Sequence, residues 1–201
     1  MKLPSASSTF EPCPTGTHLA LCISVVDLGT HEQEFQGKVT TPRQLMITWE
    51  LPDEPMDDGN PYTISKWYNF SMNEMSNLRK DLEAWRGRPF TAANIGPDGD
   101  FEIDVLLGKC CLINVVDKPN GNGTKAGSIM PVTKGTVVPP NHNPLTLFDL
   151  NDFDADVFNS LSEYQQETIR KSPEFLALSG ERPKAIAIGK ADLSDDNDVP
   201  F

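Results

Sequence analysis

The sequence predicts a mainly β domain, a small five-stranded barrel with one helix between its third and fourth strands. Three observations carry this expectation. Apolar residues alternate along three successive segments rich in β-branched and aromatic side chains. The period then changes once, to the three-and-four spacing of a helix. Two further apolar segments follow, divided by a turn rich in Gly and Asn.

Within residues 18–28, Leu19, Leu21, Ile23 and Val25 alternate onto one face of a first strand. Residues 29–41 are a polar connection containing Phe35, Gly37 and Lys38. In the second strand, residues 44–51, Leu45, Ile47 and Trp49 alternate with Met46, Thr48 and Glu50. A turn-rich stretch, PDEPMDDGNP, leads to a third strand over residues 62–71, with Tyr62, Ile64, Tyr68 and Phe70 as its expected core face. Over residues 73–86, Met75, Leu78, Leu82 and Trp85 form one helical stripe that Gly87 and Pro89 end. Residues 105–116 read as a buried fourth strand, KPNGNGTKAG as the turn after it, and residues 128–134 as a fifth. A second helix is expected from Ser160, where SLSE matches a capping box with Glu163, to just before Pro173. This order fits a five-stranded Greek-key OB-fold. The chain then divides into an N-terminal arm (1–16), the OB-fold (17–135), a Pro/Asn-rich extension with the C-terminal helix (136–178) and a flexible, disordered acidic tail (179–201).

With 201 residues the chain can bury a real core. Its formal net charge is -12, and the acids are unevenly placed. Residues 141–201 hold 12 of the 29 acids against five bases, and the last ten residues hold four aspartates and no base. No apolar run approaches the roughly 18 residues of a membrane span, and MKLPSASSTF lacks the apolar core of an export signal. A soluble, cytoplasmic protein with no membrane partner is expected. Cys13, Cys22, Cys110 and Cys111 form no CxxC pair, and neighbours on a strand point to opposite faces. They read as buried thiols of a reducing compartment.

Chemistry is largely excluded. His18, His31 and His142 stand in unrelated settings, and GxSxG, HExxH and the phosphate-binding GxxxxGK[ST] pattern are missing. Cys13 and His18 lack a second pair at finger spacing, so no metal site and no cofactor is expected.

Binding is better supported. In the third strand, Lys66-Trp67-Tyr68-Asn69-Phe70 interleaves one base with three rings. Trp67 falls on the face with Thr63, Ser65 and Asn69, where a lone indole can stack on an unpaired base for about 1–3 kcal/mol. The alternative is that an arm or the second helix covers it. Phe35 and Tyr68 are further stacking candidates, and Lys38, Arg43, Lys66, Lys109, Lys118 and Lys125 are candidates for phosphate contact. At the C-terminus, Asp195, Asp196 and Asp198 precede Val199-Pro200-Phe201. A terminal ring that fills an apolar pocket while its carboxylate meets a basic rim is a compact recognition unit.

These last residues resemble the acidic tip of single-stranded DNA-binding proteins, with Asn197 interrupting the acids. The body resembles the replication-associated single-stranded DNA-binding proteins of tailed bacteriophages. That likeness runs over GTHLALCISVVDLGT, ITWELP, KWYNFSMNEMSNLRKDLEAWRGRPF and LLGKCCLINVV. It covers roughly residues 10–175 and the tip. It implies an OB-fold that coats exposed strands during phage DNA replication, recombination and repair, without sequence preference and without catalysis. It further implies a tail that recruits replication and recombination proteins and competes with DNA for the groove. The host cytoplasm is then the expected location, and self-association into a homo-oligomer is a further candidate. The rival reading is a protein-interaction adaptor, for which the charge of -12 speaks.

The tail yields a prediction in two parts. Deleting residues 192–201 is expected to tighten binding to oligo-dT, most at low salt because the competition is electrostatic. Removing Phe201 alone is expected to leave DNA affinity unchanged and abolish capture of replication proteins. Oligonucleotide titrations and pull-downs with the three forms check both parts.

Overall fold

The computed structural model describes residues 12–35, 37–91, 95 and 101–180. The fold is mainly β, built on one six-stranded sheet. β1 (Gly16–Thr30) pairs antiparallel with β4 (Arg43–Pro55), which pairs antiparallel with β5 (Pro61–Asn69). On its other edge β1 takes β6 (Cys110–Asp117) along Gly16–Leu21, and β6 pairs with β7 (Thr124–Met130). The later part of that edge, Ser24–Val26, receives β8 (Thr146–Phe148) in parallel. β2 (Gln33–Phe35) and β3 (Lys38–Thr40) form a separate hairpin between β1 and β4.

The two ends of the sheet approach one another. Lys66 on β5 donates from Nζ to the Gly127 carbonyl of β7 at 3.0 Å. No backbone ladder joins these strands among the described residues, so the sheet curls without hydrogen-bonded closure. α1 (Asn77–Arg86) packs against both, with Leu78, Leu82 and Trp85 turned into the core. Its Ser76 cap accepts from the Arg79 amide, and Gly87 ends it in the left-handed region at φ 68°. Asp81 of α1 accepts from Lys66 Nζ at 2.6 Å and from the Tyr68 hydroxyl at 2.8 Å. One carboxylate thus ties the helix to the closing edge.

Two apolar clusters lie on opposite faces of the sheet. The inner one gathers Cys22, Val25, Ile47, Trp49, Leu82 and Ile113, with Trp49 and Trp85 rings 5.9 Å apart. The outer one gathers Val26, Leu28, Met46, Phe148, Phe158 and Ile169. Its cover is the C-terminal extension, with α2 (Ala155–Ser160), α3 (Glu163–Arg170) and α4 (Pro173–Leu178). Buried Glu50 anchors the start of that extension, accepting from the backbone amides of His142 and Asn143 at 2.7 and 2.9 Å. Its end is anchored by close approach. Gly29, at φ +81°, lets Ser172 pack where a Cβ would stand 2.4 Å from the serine Cβ.

Several expected boundaries shift. Residues 73–76 form a turn before α1, and Met75 is exposed rather than part of the stripe. The fourth strand starts only at Cys110, because Ile103–Leu106 form a 3-10 turn. The fifth runs Thr124–Met130, not 128–134, because the hairpin turns by Gly123. The capping box belongs to Ser162 and Gln165; Ser160 is spent on the end of α2, where its hydroxyl donates to the Val157 carbonyl. Phe70 is 40 % exposed and lies against the Arg43 guanidinium, outside the core, since the chain leaves β5 at Asn69. The β2–β3 hairpin, β8, α2 and α4 have no counterpart in the expected order of elements. Residues 1–11 of the expected arm and 181–201 of the expected tail lie outside the described residues.

Glu174 of α4 receives the Thr30 amide and hydroxyl on its two oxygens. Burial alone would raise its carboxyl, but the Thr30 hydrogen bonds and nearby Arg43 hold it below the usual carboxylate range. A depressed folded value adds stability above the unfolded pKa and loses it as pH falls through the folded one. Urea unfolding between about pH 5 and pH 3 is therefore expected to show an acid loss that Glu174→Gln reduces.

Candidate nucleic-acid interface

β5 alternates cleanly. Tyr62, Ile64 and Tyr68 are buried, and Thr63, Ser65, Trp67 and Asn69 are exposed on the outer face. Across the ladder stand their β4 partners, with Glu50 opposite Thr63, Thr48 opposite Ser65, Met46 opposite Trp67 and Gln44 opposite Asn69. The Thr48 and Ser65 hydroxyls bond to one another at 2.8 Å. The result is a polar strip crossed by one large ring.

That ring is 39 % exposed. Its neighbour is Tyr164 of α3, itself 63 % exposed, with centroids 6.0 Å apart and planes tilted by 54°. The helix therefore flanks Trp67 without covering it. At one end of the strip a cleft of about 530 Å³ is lined by Gln33, Gln44, Trp67, Asn69, Asn73 and Asn77. At the other, a cleft of about 670 Å³ is lined by Thr63, Ser65, Lys118 and Lys125, with Asp57 and Asp58 beside them. Strip and clefts make one path from the indole to two lysines on the β6–β7 hairpin.

The remaining candidate residues divide. Lys66 shares the inward phase of β5 and is consumed by Asp81 and Gly127, so it is not on the strip. Tyr68 is 4 % exposed, and burial and the Asp81 carboxylate drive its phenol pKa far upward; it is a core residue, not a stacking platform. Arg43 is held by the Asp27 carboxylate, whose hydrogen bonds raise its pKa, and reaches Asn151 at 3.3 Å. It clamps β4 to β1 and to the C-terminal extension. Lys109 lines a different, apolar cleft with Trp85 and Phe90, away from β5. Lys38 is exposed on the β2–β3 hairpin, whose Gln33 borders the Trp67 cleft. The Phe35 side chain and the tip residues Asp195, Asp196, Asp198, Val199, Pro200 and Phe201 lie outside the described residues.

Two contributors escaped sequence reasoning. Tyr164 comes from the expected second helix, which the sequence offers as a cover for Trp67 and not as a partner ring, and Gln44 is the first residue of the expected second strand. Only the register across β4 and β5 and the fold-back of α3 bring them to Trp67.

Burial pushes the Cys22 thiol up to about 12 and, with Glu54 nearby, Cys13 to about 11. No three His, Cys, Asp or Glu side chains gather as metal ligands among the described residues, and none of their helices is long and apolar enough to cross a membrane. Comparison with protein-family models and with curated proteins finds no match.

Trp49 is fully buried, so Trp49→Ala is expected to cost about 3–5 kcal/mol of stability. Trp67→Ala loses only half-exposed area and the Tyr164 contact, and about 1 kcal/mol is expected. Urea unfolding of both variants measures the contrast.

Proposed function

We propose that this protein is a single-stranded DNA-binding protein of the bacteriophage type, without catalytic activity, that coats exposed strands during replication, recombination and repair. The observation that carries the reading is Trp67, a tryptophan standing exposed on a polar sheet face beside a second exposed ring. Bases stack on such rings whatever their identity, because every base has a π-face. Thr63, Ser65 and the lysines Lys118 and Lys125 continue the path. Lys38 adds a cation on the neighbouring hairpin.

The strand order also supports an OB-type barrel. β1, β4, β5, β6 and β7 stand for its five strands, α1 sits between the third and fourth, and the contact from Lys66 to Gly127 brings the third against the fifth. In this reading the tip ending in Val199-Pro200-Phe201 recruits replication and recombination proteins.

The adaptor reading is favoured by a specific pair of observations. Lys66 and Arg43 are spent inside the protein, and the whole chain carries a charge of -12. Titration with fluorescent oligonucleotides separates the two. With Lys38, Lys118 and Lys125 as the phosphate contacts, log K for oligo-dT is expected to fall with log salt at a slope of about -2. Trp67 fluorescence is expected to be quenched on binding, and Trp67→Ala to weaken it about tenfold or more. Absence of binding at low salt, even after removal of residues 192–201, sinks the DNA reading and leaves the adaptor.

A further inference from the structure

The cleft beside Trp67 differs in chemistry from the rest of the strip. Of the residues that line it none is charged, and five are amides: Gln33, Gln44, Asn69, Asn73 and Asn77. Gln44 is the telling one. It is only 4 % exposed, yet its side-chain amide makes no hydrogen bond to any described residue. Among the described residues the one fully enclosed side-chain polar atom without a partner is Trp49 Nε1, so the Gln44 amide, on a residue otherwise buried, keeps its polar atoms open to the cleft and free for a ligand. Its ladder partner Asn69, on the same outer face, likewise spends its amide on no described residue. Two residue pairs further along β4 and β5, the next on the same face, Trp67 stands opposite Met46, so the indole borders the cavity that these amides face.

We propose that this cleft is a pocket for a single nucleobase, with Gln44 and Asn69 reading its edge and Trp67 bearing on its ring. The proposal rests on the single-strand reading above and makes it more specific: one position along the bound strand is read, not merely stacked. The volume of about 530 Å³ lies in the range of small-molecule sites and accommodates a base with its sugar. The chemistry favours adenine. A carboxamide presents oxygen and NH₂ side by side, which matches the donor and acceptor on an adenine edge in a bidentate pair. Guanine is best served by Arg or Lys, and neither lines the cleft.

The test uses the full chain and oligo-dT strands of one length carrying a single central dA, dC or dG. The dA strand is expected to bind at least about threefold more tightly than uniform oligo-dT. In Gln44→Leu, which keeps the side-chain volume, and in Asn69→Ala, at an exposed position, that ratio is expected to fall to one. The ratio is read within each variant, so a general loss of affinity does not enter it, and thermal unfolding confirms that each is folded. A ratio of one in the unmodified protein, a preference for dC or dG, or a dA preference that survives both substitutions overturns the pocket while leaving single-strand binding intact. Failure to bind any of the strands overturns the single-strand reading itself, and the pocket with it.

Discussion

β1 runs through the middle of the sheet with apolar side chains packed on both faces, and it changes phase at two irregularities, between Cys22 and Ser24 and between Asp27 and Gly29. Those two shifts decide which residues enter which core. Cys22 and Val25 turn inward, while Val26 and Leu28 turn outward under the C-terminal helices. At the second irregularity Asp27 is almost fully buried and accepts from the Gly29 amide, the Leu150 amide and Arg43. A buried carboxylate is tolerable only when paired and hydrogen-bonded, and here its partners come from three parts of the chain. The strand, the start of β4 and the extension are held at one point.

The same economy governs the cations. Lys66 closes the gap between β5 and β7 and Arg43 fastens the extension, so two of the bases nearest the strip serve the fold. The outer face is left with hydroxyls, amides, one indole and the lysines of its hairpins. On an acidic protein such a face depends on contact more than on long-range attraction. Stacking and hydrogen bonding operate at contact range and are screened little by salt, whereas a diffuse positive field would be lost to the surrounding acids.

The C-terminal extension is part of the interface as well as of the core. Its phenylalanines, Phe148, Phe153, Phe158 and Phe175, pack ring against ring over β1. That cluster fixes α3, and α3 sets Tyr164 beside Trp67. Glu50, Gly29 and Glu174 hold the segment down at sites well apart in sequence. The geometry of the exposed ring pair therefore depends on contacts made on the far side of α3.

Local pattern was enough for much of this. Alternation in β5 identified its buried and exposed phases, including that of Trp67, because that strand has one wet side and one dry side, whereas β4 is buried on both faces from Gln44 to Leu51 except at Thr48. The three-and-four stripe found α1 for the same reason. β1 misled: Leu19, Leu21, Ile23 and Val25 alternate in the sequence, but a strand buried on both faces carries no signal of which face is inner, and its bulge shifts the phase. Tertiary structure alone decided the fate of the charges, since whether Lys66 or Arg43 meets solvent depends on carboxylates at Asp81 and Asp27 that only folding brings within reach. It also decided the make-up of the site. Gln44, Asn69, Trp67 and Tyr164 come from three elements, and cross-strand register and helix docking are relations between distant segments that no local period records.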